Sequence, residues 1–96
     1  MNIVVELQEK VAQLKVEGRL DTVTAPELEK RINELDAKTL VLDLENLEYI
    51  SSAGLRVLLS AHKKYAKLEG MKVINVKETV MEVFEITGFA DILVIE

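Results

Sequence analysis

The chain has 96 residues, a net charge of −5, no Cys and no Trp. Its acidic balance argues against nucleic acid or an anionic membrane as the main partner, since both are held through an excess of Lys and Arg. The absence of Cys removes disulfides, thiolate catalysis and Cys-ligated zinc, and fits a reducing, cytoplasmic setting. A chain of this length folds as one domain, residues 1–96, burying roughly 60 to 65% of its unfolded surface. With two Phe and two Tyr, its core must be built from Leu, Ile and Val.

In chain order, Ile3, Val5 and Leu7 alternate with polar neighbours, and Ala12, Leu14 and Val16 do so after the break Gln8-Glu9-Lys10, so an antiparallel hairpin is expected. Gly18 interrupts its second strand. Thr24-Ala25-Pro26-Glu27 supplies an N-cap threonine, a first-turn proline and a glutamate that can bond back to the cap. A helix carrying Leu28, Ile32 and Leu35 on one face follows and ends near Asp36. Leu40 to Leu44 is too continuously apolar for a half-exposed strand and reads as central, parallel and covered on both faces.

A second helix is expected from Ser52 to Gly70, with Leu55, Leu58, Leu59 and Ala66 facing the sheet and Gly70 as a left-handed stop. Met71 to Val76 reads as a strand. Val80, Val83 and Phe84 mark a third helix closed by Gly88, and Ile92 to Ile95 a last strand. The order β-β-α-β-α-β-α-β implies an α/β fold with a mixed, mostly parallel sheet, right-handed crossovers and helices packed against it. No apolar run approaches the roughly 18 to 20 residues that span a bilayer, and an early Glu6 leaves no signal-peptide core.

Catalytic chemistry needs convergent acids, bases or nucleophiles, and this inventory is thin: one His, no Cys and no Gly-rich phosphate loop. No catalytic residue, no cofactor and no metal site is expected. His62 shares the apolar stripe of the second helix and reads as a helix-edge packing residue. Asp21 and Asp43 lack a supporting ligand spacing.

The segment Tyr49-Ile50-Ser51-Ser52-Ala53-Gly54-Leu55-Arg56-Val57 sets two hydroxyls where a buried strand hands over to a helix. Either serine can cap that helix. A phosphate on Ser52 would instead add about −1.5 to −2 charges at the positive end of the helix dipole. Gly54 either lets another backbone approach the hydroxyl or lets the helix pack closely on the sheet. The loop Gly18-Arg19-Leu20-Asp21-Thr22-Val23-Thr24 should emerge at the same sheet edge, where ligands of such folds bind, so that Asp21 lies beside Ser52 as a hydrogen-bond acceptor or as part of a recognition surface.

Gly18-Arg19-Leu20-Asp21, Leu42-Asp43-Leu44 and Tyr49 to Leu55, in this order and joined by Val83 to Phe89, resemble a STAS domain of the bacterial anti-sigma factor antagonist type. The resemblance implies a phosphoprotein that regulates transcription by partner switching. Unmodified, such a protein binds an anti-sigma factor with serine kinase activity. Phosphorylation at the start of the second helix releases it, and a serine phosphatase resets it.

By this alignment the acceptor is Ser52, with Ser51, standing where the family commonly has Asp, as the competing acceptor. Asp21, Thr22, Thr24, Ser51, Ser52, Gly54 and Arg56 would form the partner surface on a monomer or weak dimer that neither binds nucleic acid nor inserts into a membrane. The alternative is a constitutive STAS accessory subunit of an ABC-type lipid transporter or of a signalling scaffold. For a nucleotide, no basic residue stands at the spacing expected to grip phosphates, and Arg19 and Arg56 are the only candidates close to the motif.

Overall fold

The computed structural model describes residues 1–96. The hairpin forms as its alternation dictates: β1 (Asn2–Gln8) and β2 (Val11–Leu20) pair antiparallel in unbroken register from Asn2 opposite Glu17 to Gln8 opposite Val11. Ala12, Leu14 and Val16 are fully buried, while Gln13, Lys15 and Glu17 point to the other face. Gly18 does not end β2. With φ of 97°, it forms an irregularity at which the strand changes neighbour, and only glycine adopts this backbone without strain.

Before that point β2 runs parallel to β3 (Thr39–Asp43); after it, β2 runs parallel to β4 (Leu47–Ile50). The strand β5 (Met71–Ile74) pairs with the far side of β3, giving the order β1-β2-β3-β5 with β4 beside the end of β2.

Three helices cover one face of this sheet: α1 (Ala25–Asn33), α2 (Ser52–Ala66) and α3 (Glu78–Thr87). Their buried residues join Ala12, Leu14, Val16, Leu40, Leu42 and Val73 in one cluster of 23. Val41 and Asp43 lie on the opposite face, in register rows with Gln13 and Lys72, and with Lys15 and Ile74. The central strand is therefore helix-covered on one side only, in contrast to the expectation of two covered faces. Its back is shielded by cross-strand side chains, and Val41 and Asp43 stay 7% and 5% exposed.

Asp43 is satisfied locally: Oδ1 accepts from the Glu45 amide at 3.0 Å and from Asn75 Nδ2 at 3.1 Å. This ties the exits of β3 and β5 together and holds Asn75 at φ 57°.

Several boundaries move from their expected places. β4 is an additional strand, whose four residues follow Asp43 after only a short turn. α1 ends at Asn33, and Leu35 packs against the core from beyond the helix. α2 ends at Ala66, with the amides of Leu68 and Gly70 both bonding the Tyr65 carbonyl and Gly70 at φ 103° closing the turn. The buried side of α2 is Leu55, Val57, Leu58, Ala61 and Tyr65, whereas Ala66 is exposed and Leu59 half-buried.

α3 closes on Gly88 at φ 83°. A 3-10 turn at Phe89–Asp91 then consumes chain, so the expected last strand shrinks to a single bridge from Ile95 to Val73. The α/β fold and mixed sheet stand. No helix is long and apolar enough to cross a membrane.

Candidate functional site

Two strand-to-helix connections meet at one edge of the sheet, because β2 and β4 are parallel and adjacent. Arg19 pairs with Tyr49, Leu20 with Ile50, and the Ser51 amide donates to the Leu20 carbonyl at 2.9 Å. That bond fastens the Asp21 loop to the start of α2.

Within the first connection, Asp21 organises the turn. Its Oδ1 accepts from the Val23 amide at 3.0 Å and the Thr24 amide at 3.1 Å. Its own amide donates to Thr24 Oγ1 at 2.9 Å, and its carbonyl accepts from the Ala25 amide at 2.8 Å. These donors, the Thr24 amide foremost, then the Val23 amide, the Thr24 hydroxyl and the Arg19 charge, hold the Asp21 carboxyl below its ordinary range.

Thr24 is the residue before α1, yet the expected capping box is absent. The Thr24 backbone is helical, φ −92° and ψ −22°, and its hydroxyl is turned back to donate to the Arg19 carbonyl at 2.8 Å. Glu27 thus has no cap to complete, and Asp21 supplies the polar support instead. The Asp21 carboxylate does not bond Ser52. Oδ1 serves its own loop, and Oδ2 faces Arg19 Nε at 3.9 Å.

In the second connection the two serines separate in role. Ser51 is extended, φ −98° and ψ 176°, and its hydroxyl accepts from the Gly54 amide at 3.4 Å, making it the N-cap of α2. Ser52 is the first helical residue, exposed, with its hydroxyl in no hydrogen bond to protein. The two readings of Gly54 resolve in favour of packing. It is buried, and a Cβ there would lie 2.7 Å from Leu20 Cγ and 2.9 Å from Ile50 Cγ1. Gly54 therefore lets the start of α2 lie close on Leu20 and Ile50, shaping the surface from beneath.

Thr22 is exposed in the first connection, and Arg56 is exposed on α2, four residues after Ser52. Sequence reasoning passed over the pair Arg19 and Tyr49. The Arg19 guanidinium lies 4.2 Å from the Tyr49 ring centroid, and Tyr49 is 42% exposed. No local signal marked it: Leu47-Glu48-Tyr49-Ile50 runs buried, exposed, exposed, buried, which strict alternation does not produce. Val23, 85% exposed at the loop tip, completes an apolar and charged rim.

No group of three or more His, Asp or Glu side chains converges on a metal-sized position. Asp21 is engaged in its own turn, and Asp43 by the Glu45 amide and Asn75. His62 is half-buried on α2, as its stripe position suggested, with Nδ1 buried and unpartnered, and the Tyr65 hydroxyl shares that condition.

Among known protein families, the STAS domain matches residues 2–96. The chain belongs to the STAS domain family. The anti-sigma-B factor antagonist of Staphylococcus aureus is 30% identical over 97 aligned positions, which take in 97% of this STAS chain and 90% of that protein. A crystal structure of an anti-sigma factor antagonist from Mycobacterium paratuberculosis superposes with a TM-score of 0.88 at 29% identity, covering 98% of this chain and 83% of the other. The Bacillus cell fate determinant SpoIIAA in its phosphorylated form shares the fold, with a TM-score of 0.77 at 17% identity over 99% of this chain and 91% of that one.

Proposed function

We propose that this STAS domain is an anti-sigma factor antagonist with no catalysis of its own. In the unmodified state it binds an anti-sigma factor that is also a serine kinase, through Asp21, Thr22, Thr24, Arg56 and the start of α2. Phosphorylation of Ser52 releases the partner, and a serine phosphatase restores binding. The observation that carries this reading is the division of labour between neighbouring serines. The Ser51 hydroxyl is engaged as the helix cap, while Ser52 presents a free hydroxyl at the first helical position.

A phosphate there gains from the helix dipole and disturbs no internal contact, so the fold survives while an approaching partner meets new charge. The relatives named as anti-sigma factor antagonists support the partner class. The test is to mix the protein with its cognate anti-sigma kinase and ATP and to map phosphate by mass spectrometry. Phosphate on Ser52, with Ser52→Asp losing the complex, is the expected result. Phosphate on neither serine, with Ser52→Asp binding as tightly as wild type, would reject the switch. Co-purification with a transporter ATPase in place of a kinase would then favour a constitutive subunit.

A further inference from the structure

The strand β1 is the outer edge of the sheet, and its backbone parity is fixed by its neighbours. A two-residue turn, Glu9-Lys10, closes the hairpin, so the closing pair Gln8 and Val11 is the hydrogen-bonded kind, and so are the pairs two residues along. The other side of β2 agrees: the Lys10 carbonyl accepts from β3 at Thr39, and the Gly18 amide donates to Asn46. Even-numbered residues of β1 therefore face β2. Odd-numbered residues, Ile3, Val5 and Leu7, turn their amides and carbonyls outward, and none has a partner within the chain.

The usual devices that blunt an edge are missing. β1 holds no Pro, no Lys and no bulge, and its only charge is Glu6. Leu7 is 51% exposed on the helix-covered face of the sheet, and Val5 packs against the core while remaining partly open.

We infer that β1 pairs antiparallel with β1 of a second copy of this chain, about a two-fold axis at Val5. The parity admits it: the three outward residues sit symmetrically about Val5, so Val5 meets Val5 of the second copy and Ile3 meets Leu7 of the second copy, each as a hydrogen-bonded pair. Ile3, Val5 and Leu7 lie on one face, and pairing extends the apolar layer of each protomer over the exposed Leu7 of the other.

The charges also match. Glu6 falls opposite Val4 of the second copy, whose other neighbour in the row is Lys15 of that copy. Two strand spacings of about 4.8 Å separate that lysine from Glu6, within reach of its side chain across Val4. β2 lies between this axis and β4, so both copies keep Ser51 and Ser52 uncovered. The inference is independent of the switch reading.

Sedimentation across a concentration series, with amide exchange at each residue, tests it on the full chain. The expected result is a reversible monomer–dimer equilibrium in which the Ile3, Val5 and Leu7 amides gain protection as concentration rises. Val5→Lys or Val5→Glu alone, setting like charges opposite each other on the axis, should weaken association at least ~10-fold. An equimolar mixture of the two should restore it as a heterodimer, which a mere folding defect would not do. Leu7→Lys, at a position already solvent-exposed, provides a second disruption that the fold tolerates. A monomer up to about 1 mM, a dimer indifferent to Val5→Lys and Leu7→Lys, or a mixture that fails to recover would each overturn the pairing.

Discussion

The two strand-to-helix connections share an edge but differ in how completely they satisfy themselves. From Arg19 to Thr24, nearly every polar group is spent inside the turn: the Asp21 carboxylate, the Thr24 hydroxyl and the amides of Asp21, Val23 and Thr24 bond one another or the preceding strand. From Ile50 to Gly54, one serine caps the helix and the next is left unengaged. A self-satisfied turn holds its shape without a partner, and a free hydroxyl on the first turn of a helix can be modified without loss of structure. The first connection is thus fixed by its own bonds, and the second, bolted to it, keeps one hydroxyl unengaged.

Substitutions can break this contrast in descending order of effect. Gly54→Ala strikes the bolt: the added methyl must displace Leu20 and Ile50 from 2.7 and 2.9 Å, and the overpacking should cost about 2 to 3 kcal/mol in urea unfolding. Thr24→Val removes the hydroxyl that ties the loop to Arg19 and leaves that carbonyl and the Asp21 amide short of a partner. A loss of about 1 kcal/mol is expected in the same measurement.

Asp21→Asn keeps an acceptor oxygen and should cost less near neutrality, but it changes the acid limb. Because the folded protein holds the Asp21 carboxyl below its ordinary 3.8, the charge stabilises at and above that range, and the benefit disappears as pH falls through the folded value. Urea midpoints followed from pH 7 to pH 3 should therefore fall more steeply for wild type than for the Asn variant. Equal slopes would mean that Asp21 is no hub.

The smallest effects separate the serines. Ser51→Ala loses a long capping bond of 3.4 Å, worth about 0.5 kcal/mol, and should leave phosphorylation intact. Ser52→Ala should lie within about 0.5 kcal/mol of wild type and abolish phosphate incorporation. The reverse pattern would exchange their roles.

Much of this architecture was legible from residue order, and the exceptions have physical causes. Strict alternation betrayed the β1–β2 hairpin, and Gly70 and Gly88 stood where left-handed helix ends need them. β4 escaped notice because four residues so close behind Asp43 look like the tail of β3, and the irregularity at Gly18 that makes room for it has the same signature as a strand end.

Thr24 fitted a capping pattern, yet its hydroxyl was claimed by a carbonyl five residues upstream, a contact that spacing rules do not weigh. The serine pair was visible at a strand-to-helix junction, but which serine caps and which stays free depends on one backbone torsion, the extended ψ of Ser51. Arg19 over Tyr49 required the β2–β4 register, which no local pattern contains.

The unpartnered Tyr65 hydroxyl and His62 Nδ1 carry a consequence for motion. Both lie in the later half of α2, where these polar atoms are buried with no protein partner, while the first half is clamped through Gly54 to Leu20 and Ile50. Local opening should start at the Lys67 end and run backward, because the closely packed first half resists it. Ser52 then belongs to the last part of its helix to fray, so its hydroxyl should stay on an ordered turn after the far end of the same helix has opened.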